Sequence, residues 1–588
     1  MPSVPKLIPA PARWRGRAVS VLFALAGLVL AGRLIQLQAV CRSEFAERAH
    51  RQSTLREAIP PRPGDLLDRH GRVFATTVAV PSLYVVPSRI ADVEACVRQL
   101  AAALDQPAEA LRERIQSHAD AHFLWIKRRL SAEEAEHVRK LELAPGLWGL
   151  REEYLRRYPQ GALAAQVLGQ RNIDGEGQGG LEESLDERLR GTPGWRELIR
   201  DARGRVIDVR EDAATPPRPG TSIILTLDAV IQLHAERALD EIVETWKPRA
   251  CCATVLSPAT GEVLAMASRP TFDPNHPELA DPSAWKNRTI ADIYEPGSTF
   301  KPCVVAWGLQ LGCLKRDEVF NCENGEYRMG SRILHDHHPY GSLDVVGILV
   351  KSSNVGMAKI DQRLTNAGLF DAGQAFGFGK PTGIELPGEL PGMLRPLSTW
   401  TSYSTGSIPM GQEIAATPLQ VISAYSALAN HGRWIAPHLV LRGADETTAP
   451  PRVVSETVSP EVADWIVQHA LTEVVQRGTG KKAQLSGYKV FGKTGTAQKL
   501  DPKTGGYSRE LHVNSFVCGA PSENPEVLVM VTVDEPTLGP DQQHMGGIVA
   551  APYAGKILKK ALVQLRIPPR DTSLRSALAP KADEPQRR

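Results

Sequence analysis

The chain has 588 residues, 42% apolar and 23% charged, an ordinary globular composition at a length too great for one core, so two or three domains are expected. Sixty-nine basic against 66 acidic side chains leave a net charge of +3, which alone argues neither for nor against a polyanionic partner; no nucleic-acid partner is expected. Cysteines occur at 41, 96, 251, 252, 303, 313, 322 and 518, with no metal-type CxxC pair and mostly apolar neighbours. They read as buried thiols rather than a disulfide framework, with Cys313 and Cys322 able to pair only in an oxidising compartment.

Residues Ala18 to Gly32 are an uninterrupted small and apolar run, and continuation past Arg33 to Val40 brings the helix to the roughly 20 residues a bilayer requires. Lys6, Arg13, Arg15 and Arg17 precede it and no acidic residue occurs before Glu44, so residues 1–17 read as a cytoplasmic basic tail and 18–40 as a transmembrane anchor. The basic flank also fits a cleaved secretory signal. An uncleaved anchor is favoured, because no Ala-x-Ala site followed by a natural mature start is evident.

Residues 41–218 read as an elongated pedestal that stands the next domain off the membrane. Within it, 62–73 predict two short strands around a turn, and 91–142 carry helical spacing in Val93, Val97, Leu100 and Leu104. Carboxylates at 174, 176, 182 and 183 lack the ligand order of a calcium loop and read as a solvated hinge. No paired-carboxylate glycosyltransferase site is found here.

Residues 219–566 read as the second folded region. Asp228 is placed to cap a helix through Ile231, Ala235, Ala238, Leu239 and Ile242. Cys251 to Leu256 and Glu262 to Ala267 predict a hairpin, Ser515 to Gly519 and Val527 to Asp534 a second, and Val490 to Ala497 a strand beside it. Five antiparallel strands from both ends of the region, with helical material between, imply an α+β fold in which helices flank the sheet around an all-helical insertion. The Pro- and Lys/Arg-rich tail, 567–588, is expected to be disordered.

Three motifs fall inside this region. Ser298 and Lys301 lie one turn apart at the mouth of an apolar helix containing Val304, Val305, Ala306, Leu309 and Leu311, where burial would lower the lysine pKa and let it act as a base toward the hydroxyl. Ser352-Ser353-Asn354 occupies the break between two helical stretches, 343–350 and 355–364, so that a hydroxyl and an amide can point into one cleft. Lys493 and Thr494 sit in a strand between Gly492 and Gly495, where missing side chains would let a ligand backbone approach as an added strand. An isolated Ser-x-x-Lys is more often a capped helix with a solvated lysine. The ordered trio, however, is an established signature of penicillin-binding proteins and class A β-lactamases. His335-Asp336-His337-His338 can be read as a metal cluster near the cleft, but its dense local spacing fits a polar loop better.

On these motifs the chain resembles the class B penicillin-binding proteins, from the anchor to about residue 560. The likeness extends to Arg62-Pro63-Gly64, Asp68-Arg69-His70-Gly71, Pro270-Thr271-Phe272-Asp273-Pro274-Asn275 and Thr382-Gly383-Ile384-Glu385-Leu386-Pro387-Gly388. The resemblance implies a penicillin-binding/serine β-lactamase-like transpeptidase domain on an elongated pedestal with one transmembrane helix, acting as a peptidoglycan D,D-transpeptidase without cofactor or metal. It implies that Ser298 attacks the penultimate D-alanine carbonyl, Lys301 takes the proton and Ser352 relays one to the leaving amine. Asn354 would hold the donor amide and Lys493 and Thr494 the terminal carboxylate, with Gly495 beside them. Backbone N–H groups of Ser298 and Thr496 would form the oxyanion hole, the kind of contact that is usually the largest catalytic contribution. The implied partners are stem peptides of lipid II-derived glycan strands, β-lactams as covalent inhibitors, the inner membrane, a polytopic glycan polymerase and other divisome proteins. Ser352-Ser353-Asn354-Val355-Gly356 looks more like the division-associated, FtsI-like branch than the elongation branch. The alternatives are an elongation-type transpeptidase, or a β-lactam-hydrolysing or sensing protein of the same fold.

Overall fold

The structure is a computed structural model describing residues 13–201, 206–501, 505–537 and 545–569. The basic tail before Arg13 and the chain beyond Pro569, expected to be disordered, lie outside the described residues. Two compact units form, residues 1–61 with 192–218, and residues 62–191 with 219–588, so the segment 41–218 is shared between them.

In the first unit the helix Arg13–Ile35 continues through a π-helical turn, Gln36–Val40, into the helix Arg42–Ser53. Trp14–Val40 is long and apolar enough to cross a membrane and contains the expected span. Thr54–Ile59 pairs antiparallel with Gly194–Arg200, which pairs in turn with Val206–Thr215.

The second unit begins with the expected hairpin, Leu66–Leu67 against Val73–Val85. Helices Val93–Leu104, Ala108–Gln116 and Ala132–Arg139 surround a small core of Leu83, Val97, Leu100, Ile115 and Ile126. Two strands here, Leu124–Lys127 and Trp148–Arg157, escaped the sequence pattern: both pair with Val73–Val85, the first is only four residues long and the second carries mixed charge. Ile223–Leu225 pairs with Leu66–Leu67 and with Val440–Gly443, so the pedestal segment and the region after it share one sheet.

The expected solvated hinge at 174–183 is corrected at Glu182. Its carboxylate is fully buried between Arg156 Nε at 2.7 Å and Arg171 Nε at 2.6 Å, with the Tyr158 hydroxyl at 3.3 Å. Arg171 also pairs with Asp186 at 2.8 Å. A carboxylate out of water needs such partners, and the two guanidinium groups come from positions that local sequence does not link to it.

The second half of the unit is built on helix α1 (Ala229–Trp246), strands β1 (Ala250–Leu256) and β2 (Val263–Arg269), and helices α2 (Lys301–Gln310), α3 (Val345–Lys351), α4 (Asn354–Ala375) and α5 (Pro418–Ala429). The chain then returns to the sheet as β3 (Phe491–Leu500), β4 (Tyr507–Ala520) and β5 (Val527–Asp534), and ends in α6 (Ala551–Gln564). Asp228 caps α1 as expected, accepting from Val230 N at 2.8 Å and Ile231 N at 3.2 Å. The five strands are antiparallel in the order β2-β1-β5-β4-β3, which leaves β3 at the edge.

Alternation along the strands gives the sheet two apolar faces. Cys251, Ala253, Val255, Val529 and Val531 meet α1 and α6, while Leu528, Met530, Val517 and Phe491 meet the core that holds α2, α4 and α5. The insertion between β2 and β3 is not all-helical. It carries four two-stranded ribbons, 319–321 with 342–344, 326–329 with 332–335, 393–394 with 414–415, and 433–435 with 453–456. Strands of two to four residues are too short to show a period in sequence.

Candidate active site

Ser298 lies in a single 3₁₀ turn, Gly297–Thr299, which leads into α2. Gly297 has φ +57°, and a Cβ there would lie 3.1 Å from the Thr496 carbonyl oxygen, so glycine both permits the turn and lets β3 close against it. The turn is held from behind by Thr299 Oγ1 donating to Pro296 O at 2.7 Å and by the buried Tyr425 hydroxyl of α5 donating to Thr299 O at 2.9 Å. Pro302 falls in the first turn of α2, where a missing N–H costs little. The face of α2 through Val304, Val305 and Ala306 is buried as expected; Leu311 is not, because the helix ends at Gln310 and Leu311 turns out to solvent.

Lys301 is 0% exposed. Its Nζ donates to Ser352 O at 2.7 Å, Asn354 Oδ1 at 2.8 Å, and more weakly to Ser352 Oγ and Ser353 O, both at 3.4 Å. No hydrogen bond among the described residues joins it to the Ser298 hydroxyl; the Ser-x-x-Lys lysine is instead docked onto the Ser-Ser-Asn loop. Lys493, also 0% exposed, reaches the same loop from the edge strand, with Nζ donating to Ser352 Oγ at 3.0 Å and to Thr494 O at 3.1 Å. The Ser352 hydroxyl therefore sits between two buried amines.

Burial pushes the Lys301 amine down to about 7, against the opposing pull of Asp336 and Asp361. Burial, followed by the charge of Lys301, holds Lys493 well below the usual lysine range. The pair resists double protonation, so a neutral amine is available beside Ser352 at neutral pH.

The loop carrying Ser352, Ser353 and Asn354 is set by its own geometry. Ser352 ends α3 in the left-handed region, φ +57°, where a non-glycine residue is held only by its surroundings. Ser353 caps α4, accepting from Gly356 N at 2.9 Å. Asp336 fastens the arrangement: it accepts from Ser353 Oγ at 2.7 Å, from Val355 N at 3.1 Å and from Asn354 N. Asn354 Nδ2 returns to His335 O at 3.0 Å. The His335-Asp336-His337-His338 loop is thus a brace for the serine-asparagine corner. The sequence marked the loop as polar, with no local signal for which helix it braces.

Thr494 is buried and its hydroxyl shares a 2.7 Å hydrogen bond with Thr479; Thr496 Oγ1 accepts from Gly546 N at 3.2 Å. The room left by Gly492 and Gly495 is taken by the protein itself rather than left for a ligand, so the missing side chains serve packing, while β3 stays open along its outer edge. A Cβ on Gly492 would meet Val517 O at 2.6 Å, and one on Gly495 would meet Ser515 Oγ at 2.4 Å and Thr299 Cγ2 at 2.9 Å. Ser298, Ser352, Thr494 and Thr496 line one open cleft of about 290 Å³, with Gly546, Gly547 and Ile548 forming part of its wall.

Two further groups escaped sequence reasoning. The wall at 546–548 carries no chemical side chain, and Asp361 reads as one more polar residue of α4. Asp361 is fully buried with neither carboxylate oxygen hydrogen-bonded, and burial raises its pKa well above the ordinary value, with Lys301 opposing. All eight cysteines are free thiols, Cys313 and Cys322 included.

The sheet order, the turn carrying Ser298 that leads into the helix of Lys301, and the buried lysine on the edge strand define the class, the penicillin-binding/serine β-lactamase fold. Comparison with known proteins narrows it. Residues 251–559 match the penicillin binding protein transpeptidase domain and residues 58–225 the penicillin-binding protein dimerisation domain. PenA of Neisseria gonorrhoeae is 35% identical over 95% of this chain and 94% of that protein. The peptidoglycan D,D-transpeptidase FtsI of Escherichia coli is 32% identical over 95% of this chain and 92% of that protein. The crystal structure of penicillin binding protein 3 from Mycobacterium tuberculosis complexed with aztreonam superposes with a TM-score of 0.67 at 26% identity, covering 87% of this chain and 99% of that one. The chain belongs to the penicillin-binding proteins that carry a dimerisation domain before the transpeptidase domain.

Proposed function

We propose that this protein is a peptidoglycan D,D-transpeptidase acting through an acyl-enzyme on Ser298. The observation that carries the reading is the double docking of Lys301 and Lys493 onto the Ser-Ser-Asn loop, with the Lys301 amine lowered to about 7 beside the serine turn. Ser298 Oγ attacks the penultimate D-alanine carbonyl and its proton passes to Lys301. The developing oxyanion is met by the N–H groups of Ser298 and Thr496. As the carbon–nitrogen bond breaks, the terminal D-alanine leaves as an amine that takes a proton through Ser352. Asn354 holds the donor amide, and Lys493, Thr494 and Gly495 form the edge that receives the terminal carboxylate. An acceptor amine then attacks the ester and closes the cross-link; a β-lactam forms the same ester and stops there.

The relatives named D,D-transpeptidases support this reading, as does the binding of aztreonam and of ampicillin by the mycobacterial protein. The apolar helix Trp14–Val40, with Arg13, Arg15 and Arg17 at its start, supports a single-pass inner-membrane protein with a cytoplasmic N-terminus and an extracytoplasmic cleft. Similarity to FtsI and the sequence Ser352-Ser353-Asn354-Val355-Gly356 favour a role in septal synthesis, beside a polytopic glycan polymerase. On depletion, filaments support septation and rounded cells an elongation role.

Full-length protein in detergent, mixed with fluorescent penicillin and run on a denaturing gel, tests the chemistry. A labelled band that Ser298→Ala abolishes, at an unchanged melting temperature, is expected. An equal band from Ser298→Ala sinks the assignment.

A further inference from the structure

The transpeptidase reading assigns one anion of the donor, its terminal carboxylate, to the buried Lys493. The same cleft carries more positive charge than that anion requires. Lys351 at the end of α3, and Lys481 and Lys482 in the single turn Lys481–Ala483, are all exposed and all line the cleft with Ser298. Among the described residues no acidic side chain lines the cleft, and none of these three lysines forms an ion pair. Lys351 Nζ lies 6.0 Å from the Tyr340 ring centroid, a cation–π contact that does not neutralise its charge. The whole chain is nearly balanced at +3, so this excess is local to the cleft. Burial, followed by the charge of Lys301, lowers the pKa of His337, which lines the same cleft.

A donor laid along the edge strand advances about 3.3 Å per residue, so the residues two and three positions before the scissile carbonyl stay at the mouth of the cleft. Three uncompensated cations there suit a carboxylate carried by either of those residues and give no advantage to an amide in its place. We propose that Lys351, Lys481 and Lys482 read this second carboxylate, selecting donors in which it is free over otherwise identical donors in which it is amidated. The charge attracts the donor from solution and holds it once seated, while Lys493 fixes the end of the peptide. The lysines are specificity residues and touch no reacting atom. Being exposed, they act through water and salt, so the preference is modest and falls as ionic strength rises.

The test is protection of the full-length protein against fluorescent-penicillin labelling by two synthetic pentapeptide donors that differ only by that carboxylate or amide. At low salt the free-acid donor is expected to protect at roughly five-fold lower concentration, since each exposed charge pair contributes a small factor. The ratio is expected to fall toward one in about 0.5 M salt, and also in the Lys481→Gln/Lys482→Gln double variant. Should that variant fail to label, the salt series of the parent protein decides. Equal protection by the two donors at low salt, protection by neither, or a ratio indifferent to salt overturns this inference while leaving the transpeptidase reading intact. Absence of penicillin labelling in the parent overturns both.

Discussion

The pedestal and the cleft each bury cationic side chains, and they treat them in opposite ways. Arg156 and Arg171 are closed around the carboxylate of Glu182, with Asp186 beside it. Lys301 and Lys493 are buried as completely, yet they meet hydroxyl, amide and carbonyl oxygens rather than a carboxylate. A paired buried charge keeps its proton and holds a shape; an unpaired one escapes the desolvation penalty by giving up its proton. The pedestal thus uses its charges as struts, and the cleft uses the same cost of burial to make a base.

Substitutions can break this contrast at several points. Lys301→Met removes the base and is expected to slow penicillin acylation by about a thousand-fold, the usual range for a positioned general base, with no fall in melting temperature; an acylation rate above a tenth of the parent's would break the contrast. Glu182→Ala leaves two guanidinium groups buried without their central carboxylate, and a loss of about 3–5 kcal/mol is expected in denaturant melts, with Ser298 still labelled in whatever fraction folds. A loss under about 1 kcal/mol would place that cluster with ordinary surface pairs. Asp336→Asn cannot accept from Ser353, Asn354 and Val355 with both oxygens, and about ten-fold slower acylation at little cost in stability is expected from loosening a charged hydrogen-bond brace.

Proton linkage sharpens the same comparison. With Lys301 lowered to about 7, acylation is expected to rise with pH through 7 and to fall about ten-fold per unit well below it, read as a rate profile with penicillin. Between 7 and the ordinary lysine range the unfolded chain binds a proton that the folded one lacks, so this residue makes stability rise with pH there. Lys301→Met should flatten that slope. Asp361 carries the smallest expected effect. Its raised pKa means that, above the usual carboxylate range, the folded chain keeps a proton that the unfolded chain has lost, so stability falls as pH rises toward the folded value. Asp361→Asn, already matched to the neutral form, should leave stability at low pH unchanged and remove the fall; a marked loss near neutral pH would mean that the carboxylate is charged in the folded protein.

Much of the architecture was readable along the chain. The Asp228 cap, the two hairpins, the Lys-Thr-Gly strand and the Ser-Ser-Asn break all stand where local pattern puts them. The short ribbons of the insertion, the strands paired to Val73–Val85 and the burial of Glu182 were not readable, because each depends on partners that local pattern does not identify. In the cleft, the motif residues were legible but their contacts were not: Lys301 turns to Ser352 and Asn354, and Asp336 proves to be a brace.

Which groups this protein carries, and the order in which they occur, can be read along the chain, since residue type, turn chemistry and hydrophobic period are local properties. Tertiary structure alone decided which charges are neutralised and which are not. Lys301 and Ser352 are 51 positions apart, and Lys493 and Ser352 are 141 apart. Whether a buried amine holds its proton depends on the nearest counter-charge in space, and only the folded chain specifies that neighbour.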